Sequence, residues 1–201
     1  VLYDALSRPG LYPGLAYLGD RAAVGANSKR RDHAADHQHA AAIAEIITVS
    51  VAFPAFVLGH DPTRRIICVS YSGDLARKHS NDFRAILDTD WYRTTFSGSC
   101  IGQYKNAEAE VALTRHGFRL ATSIGGTLTG RSGNFIIVDD PLRPEDTMSE
   151  AKRASANERV RTTALSRLDN QRTGAIILVM QRVHMDDMTG SYGNYRTTGQ
   201  S

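Results

Sequence analysis

Phe135-Ile136-Ile137-Val138-Asp139-Asp140-Pro141 is the stretch on which the fold turns. Four apolar residues run straight into two adjacent carboxylates. A half-exposed strand alternates apolar and polar residues, whereas an unbroken apolar run predicts a parallel strand with helices covering both faces. In open sheets of that kind, ligands bind outside the carboxyl ends of the strands. Here that end carries both acids. Taken alone, the segment also fits a buried strand followed by an acidic turn begun by Asp140-Pro141.

The flanking segments supply the rest of such a sheet. Arg65–Tyr71 (RIICVSY) and Ala175–Met180 (AIILVM) read as two more buried strands. Ser72 predicts an N-cap for a helix through about Leu87. Ala76, Phe83, Ile86 and Leu87 form its apolar side, and Arg77, Lys78 and Arg84 its wet side. Thr48–Leu58 predicts an apolar helix in which Pro54 imposes a kink or a late start, with Gly59 as the C′ residue. Trp91–Phe96 reads as a short aromatic surface segment. Glu110–Leu113 and Gly117–Thr122 read as short strands, paired as a hairpin, and Ile124–Gly133 as a Gly-rich loop. Thr147-Met148-Ser149-Glu150 fits a capping box opening a polar helix to about Leu168. Strands alternating with long helices predict an α/β fold with a mostly parallel sheet flanked by helices.

Composition narrows the class. The chain has 201 residues, enough for one α/β domain, and its 41% hydrophobic and 22% charged content is that of a soluble globular protein. Its apolar runs fall well short of the ~20 residues that span a bilayer, and no basic-then-apolar signal segment is present. Cys68 and Cys100 are isolated, which favours a reducing cytoplasm over a disulfide framework. Cys68 lies in an apolar run and reads as a small buried hydrophobe. A net charge of +3 permits a polyanionic partner without demanding one. Residues 25–42 are rich in Ala, His, Arg and Asp with no period of 2 or 3.6, and read as a loop or arm. His33, His37 and His39 fall there, without an acid or Cys at a convincing ligand spacing. The chain begins at Val1 and ends at Ser201, and we expect it to be a fragment.

The acidic strand has the form of a Walker B segment. In such a segment one carboxylate, here Asp139, holds Mg²⁺, and the next, Asp140, positions the attacking water. Arg131 lies nine residues before Asp140, in the Gly-flanked loop entering the strand. It is a candidate arginine finger, in cis or across a subunit ring; the plainer reading is a surface arginine. Gln181 ends the strand Ala175–Met180 and is a candidate for sensing the γ-phosphate. Arg182 either joins that network or pairs with Asp186 or Asp187. Arg77, Lys78, Arg84, Arg115 and Arg119 are candidate contacts to DNA phosphates, or simply a solvated face.

Four segments together resemble the ATPase domain of the large subunit of tailed-phage terminases, the DNA-packaging motors. They are FVLGHDPTRRIICVSYSGDLARKHSNDFRAIL, WYRTTF, GGTLTGRSGNFIIVDDPL with SEAKR, and SRLDNQRTGAIILVMQRVHMDDMTG, covering roughly Ile47 to Gly190. The resemblance implies an ASCE-type P-loop NTPase fold, ATP and Mg²⁺ as cofactors, and ATP-driven translocation of double-stranded DNA into a procapsid. It also implies the portal protein and small terminase subunit as partners, a ring of like subunits, and a nuclease domain that this stretch lacks. The expected location is the host bacterial cytoplasm, docked transiently on the portal. An unrelated helicase-like ATPase is the competing enzyme reading. GGTLTGR, VDDPL and VMQRVHMDD argue against it.

One part of the pattern is missing. The family carries a phosphate loop of the form Pro-Pro-Arg-x-x-Lys-Ser just before the helix at Thr48, whose backbone N–H groups and Lys grip the phosphates. This chain has Ala40-Ala41-Ala42-Ile43-Ala44-Glu45-Ile46 there. Back-translation of Asp36 to Ile47, read one nucleotide later, admits Ile-Ile-Asn-Met-Pro-Pro-Arg-Ser-Leu-Lys-Ser. Residues 1–46 therefore read as an aberrant, out-of-frame segment, 47–190 as the motor-like core, and 191–201 as an aberrant or truncated tail. From this we expect defective ATP binding, a sheet edge left bare where the phosphate-loop strand belongs, and a marginal product. A non-catalytic remnant from a decayed prophage is the alternative.

Overall fold

The computed structural model describes residues 47–126, 128, 130–170 and 172–180, together with the backbone of residues 15–17. His33, His37, His39, Gln181, Arg182, Asp186, Asp187 and the tail 191–201 lie outside the described residues.

The three apolar runs expected as buried strands are strands, and four more join them among the described residues. These are β1 (Leu15–Tyr17), β2 (Arg65–Ser70), β3 (Ile101–Ala107), β4 (Glu110–Leu113), β5 (Phe118–Ser123), β6 (Phe135–Asp139) and β7 (Ala175–Val179). They form one seven-stranded sheet in the order β1-β7-β6-β2-β5-β4-β3. The first five in that order run parallel, and β4 and β3 add an antiparallel edge. The acidic strand β6 is thus interior, between β7 and β2. The strand that follows it in sequence lies between it and β1.

The runs are unbroken because the central strands are covered on both sides. One face, including Ile66, Cys68, Ile137, Ile177 and Val179, packs on Val49, Val51, Phe53, Leu58, Phe83, Leu87 and Tyr92. The other, including Ile67, Val69, Ile136, Val138, Ile176 and Leu178, packs on Leu128 and Val160. The helices on the first face are a π-helical turn (Thr48–Ala52) leading directly into α1 (Phe53–His60), then α2 (Gly73–Leu87) and α3 (Asp90–Thr95). Helix α4 (Glu150–Arg167) covers the second.

Local details refine the sequence reading. The segment containing Pro54 does start its α-helix late. The turn before it is π-type, with the Phe53 N–H donating to the Thr48 carbonyl, and Pro54 sits in the first turn of α1. Gly59 lies inside α1 rather than after it. Its role is steric, since a Cβ there would meet the Phe96 ring at 2.7 Å. Ser72 caps α2 as expected, accepting from the Leu75 N–H. The N-cap of α4 is Ser149, which accepts from the Lys152 N–H, two residues later than the capping-box spacing suggested. The aromatic segment at 91–96 is a helix with two faces: Trp91 is 59% exposed, but Tyr92 is fully buried and donates to the Ala55 carbonyl.

The edge expected to be bare is partly filled. Leu15–Tyr17 pairs in parallel with Ile176–Leu178. Ladder bonds are made by the backbone, so a segment that lacks the usual phosphate-loop sequence still supplies a strand.

Candidate active site

Asp139 is the last residue of β6, level with Ser70 on one side and Val179 on the other. It is fully buried. Its side chain faces the helical layer formed by the π-turn, α1 and α2, alongside Ile137 and Phe135. Two groups from that layer meet one of its oxygens. The Ser50 hydroxyl donates to Oδ2 at 3.0 Å. Nδ1 of His79, on α2, lies 3.3 Å from the same oxygen. Oδ1 is enclosed and has no hydrogen-bond partner among the described residues.

Asp140 follows at the rim and is half-exposed. Its φ of 41° is in the left-handed region, and its N–H donates to the Val179 carbonyl at 2.9 Å. Left-handed backbone in a non-glycine residue is uncommon, although Asp tolerates it better than most. The turn ends β6 abruptly after Asp139.

Below Asp139 on the same face lies Arg119 of β5, fully buried. Its Nη2 donates to the Ser50 carbonyl at 2.9 Å, and its guanidinium stacks 5.4 Å from the Phe83 ring centroid. Ser50 therefore links a buried acid through its hydroxyl and a buried cation through its carbonyl. Burial pushes the neighbouring Cys68 thiol above its ordinary range. Arg119 opposes that shift and Asp139 adds to it.

Arg119 was a candidate DNA contact on sequence, and its burial rules out that role in this fold. Neither His79 nor Ser80 was singled out from the sequence, although both lie between Ala76 and Phe83 among the buried residues of α2. Nothing local pointed to their contacts. Arg77 and Lys78 are exposed and paired with Asp74 and Asp82. Arg84 donates to the Ala107 carbonyl. Arg115 is exposed on the β4–β5 turn.

Arg131 is not brought to the acidic edge within this chain. Its Nη2 pairs with Glu110 Oε2 at 2.6 Å, and its guanidinium lies 5.4 Å from the Phe118 ring centroid. Phe118 begins β5, while Asp139 is level with the end of that strand, through Ser70 and Ser123. Five residues at about 3.3 Å each separate the two levels by roughly 16 Å. The loop is also pinned rather than free: the Gly133 N–H donates to the Arg167 carbonyl. A Cβ at Gly133 would come within 2.9 Å of the Arg65 carbonyl oxygen, so only glycine fits there.

A cavity of about 540 Å³ lies between the carboxyl ends of β2, β5 and β6 and the first turns of α4. Tyr71, Ile124, Pro141, Arg143, Lys152 and Arg159 are among its walls, and Asp139 is not. Among the described residues, no three His, Cys, Asp or Glu side chains gather into a metal cage. Mg²⁺ does not need one. It is commonly held by one or two carboxylates and completed by phosphates and water. The orphaned Oδ1 of Asp139 is a donor of that kind, because an unpaired buried carboxylate oxygen is costly until a cation or a proton donor meets it. The residues present therefore fit the ion.

No family model matches this chain, and no curated protein matches it. Among solved structures, it is similar to the crystal structure of the HK97 bacteriophage large terminase, at a TM-score of 0.44 and 15% identity. The match covers 67% of this chain and 26% of that one, so the chain spans about a quarter of that protein's length.

Proposed function

We propose that residues 47–190 are the ATPase core of a DNA-packaging motor of the large-terminase type. Asp139 is its Mg²⁺-holding carboxylate, and Asp140 is the group that orients or deprotonates the attacking water. The observation that carries this reading is Asp139 itself: a fully buried acid at the carboxyl end of an interior strand, with one oxygen anchored and the other without a partner among the described residues. The sheet supports it, since the acidic strand is interior and runs parallel to both of its neighbours. The motif segments between Ile47 and Gly190 support it independently.

In this reading Asp139 holds the ion through Oδ1 while Ser50 and His79 restrain Oδ2. Asp140, half-exposed at the rim, would orient or deprotonate the attacking water. When bound with the triphosphate, Mg²⁺ held by Asp139 would supply neutralisation of charge on the transferring phosphoryl group. Arg131 acts only across a subunit boundary, if it acts as a finger, and Gln181 couples hydrolysis to movement. Double-stranded DNA, the portal protein and the small terminase subunit are the proposed partners, and a ring of like subunits the proposed assembly.

The present copy is the defective form of that motor. No Lys-Ser pair precedes the helix that begins after Ile47, so the cationic half of the phosphate grip is missing. That same observation favours the second reading, a non-catalytic remnant. Calorimetry separates the two. The chain as it stands should not saturate with Mg-ATP at millimolar concentration, a binding free energy weaker than about 4 kcal/mol. Replacing residues 36–46 with Ile-Ile-Asn-Met-Pro-Pro-Arg-Ser-Leu-Lys-Ser should install binding. Asp139→Ala in that background should remove it, and Asp140→Ala should abolish hydrolysis while sparing binding. Failure of the replaced chain to bind Mg-ATP would overturn the motor reading.

A further inference from the structure

We propose that His79 is a positioning residue for Asp139, fixing the carboxylate so that Oδ1 is presented to a divalent cation. The inference rests on the reading of Asp139 as a metal carboxylate. Its grounds are geometric. His79 is 4% exposed, on the buried stripe of α2, and its Nδ1 is 3.3 Å from Asp139 Oδ2. The facing oxygen can only accept, so His79 holds the carboxylate in the tautomer that carries its proton on Nδ1. The Ser50 hydroxyl reaches the same oxygen from the π-turn. A hydroxyl donor and an imidazole nitrogen from two different elements thus converge on Oδ2, and none of the described residues hydrogen-bonds Oδ1. Such an asymmetric arrangement fixes the rotation of the carboxyl group. It also explains why α2, separated from the end of β2 by two residues, places an imidazole rather than an aliphatic side chain above the carboxyl edge of the sheet. A helix residue that merely filled space there would leave both oxygens of a buried acid to one hydroxyl, a costly arrangement.

The Asp139 carboxylate is enclosed, and Asp140 beside it is half-exposed. Mn²⁺ is a suitable probe because it broadens nearby amide signals without nucleotide or turnover. Titrated into the full ¹⁵N-labelled chain, Mn²⁺ should broaden the amides of Val138, Asp139 and Asp140 with a measurable midpoint. Asp139→Asn should abolish that broadening. His79→Leu and His79→Gln should each raise the midpoint about tenfold, at the lower end of what outer-shell partners of metal ligands are worth. His79→Asn, whose amide N–H₂ occupies the place of Nδ1, should stay within about twofold of the parent. Thermal unfolding of each variant identifies any that fail to fold, and the Gln variant serves if the Leu variant does not. An unchanged midpoint in both variants, or an equal loss in the Asn variant, overturns the positioning role while leaving the carboxylate reading intact. Broadening that survives Asp139→Asn, or is absent from the parent chain, overturns that reading and the inference with it.

Discussion

Pro54 has no amide hydrogen, and the effect is felt four residues earlier. In a regular helix the residue at 54 would donate to the Ser50 carbonyl. Here that carbonyl accepts from the buried guanidinium of Arg119 instead, at 2.9 Å. The proline frees an acceptor, the preceding turn widens to π form, and a strand residue supplies the missing donor. Two guanidinium nitrogens of Arg119 have no hydrogen-bond partner among the described residues, so its net contribution rests on this bond and on Phe83. A double-mutant cycle tests the coupling. Arg119→Met strands the Ser50 carbonyl in the parent, whereas in a Pro54→Ala background the amide hydrogen restored at position 54 can take it. Denaturant unfolding should find Arg119→Met about 1 kcal/mol less costly in that background, the worth of one buried hydrogen bond. Equal costs in both backgrounds would mean the bond has no such role.

At the scale of elements, helix α2 carries the site. Two residues separate its start from the end of β2, and Ser72 fixes that start by accepting the Leu75 N–H. Asp74 in the first turn complements the positive end of the helix. Ser72→Ala should lower stability by about 1 kcal/mol, read from the shift in urea midpoint at unchanged slope. This element was legible in advance from the Ser at its start and the stripe of Ala76, Phe83 and Leu87. Ser149 was less so: Thr147 and Ser149 both have capping side chains, and the chain path after β6, through the turn at Pro144–Asp146, decides between them. Strand β3 was not anticipated, because Ile101–Ala107 shows no alternation and owes its extended form to pairing with β4.

At the scale of the whole molecule, the two cysteines report on the integrity of the sheet. Cys68 is buried on the interior strand β2, and burial holds its thiol above the usual range, while Cys100 is exposed. With the thiol pKa raised, the reactive thiolate is scarcer at pH 8 than for a free cysteine. An aromatic disulfide reagent at that pH should therefore modify Cys100 rapidly and Cys68 only at the rate of unfolding. Rapid modification of both would show that the sheet opens readily, as expected if three residues of β1 are too few to guard the β7 edge.

The sequence by itself determined the class of sheet, the strands that compose its centre, and the two acids at the end of β6. Those features depend on periodicity and on bonds between residues a few positions apart, which local composition encodes. Only the tertiary structure decided what surrounds the acids. Ser50 reaches Asp139 across 89 residues of sequence, His79 arrives from a separate helix, and Arg119 is withdrawn from solvent to serve a carbonyl on the π-turn. Arg131, nine residues from Asp140 in the chain, ends at the opposite end of the strands because the loop it occupies must run back along the sheet before β6 can begin in parallel. Sequence distance along a parallel strand says little about distance at its carboxyl end, since each strand must return to the far side of the sheet before the next one starts.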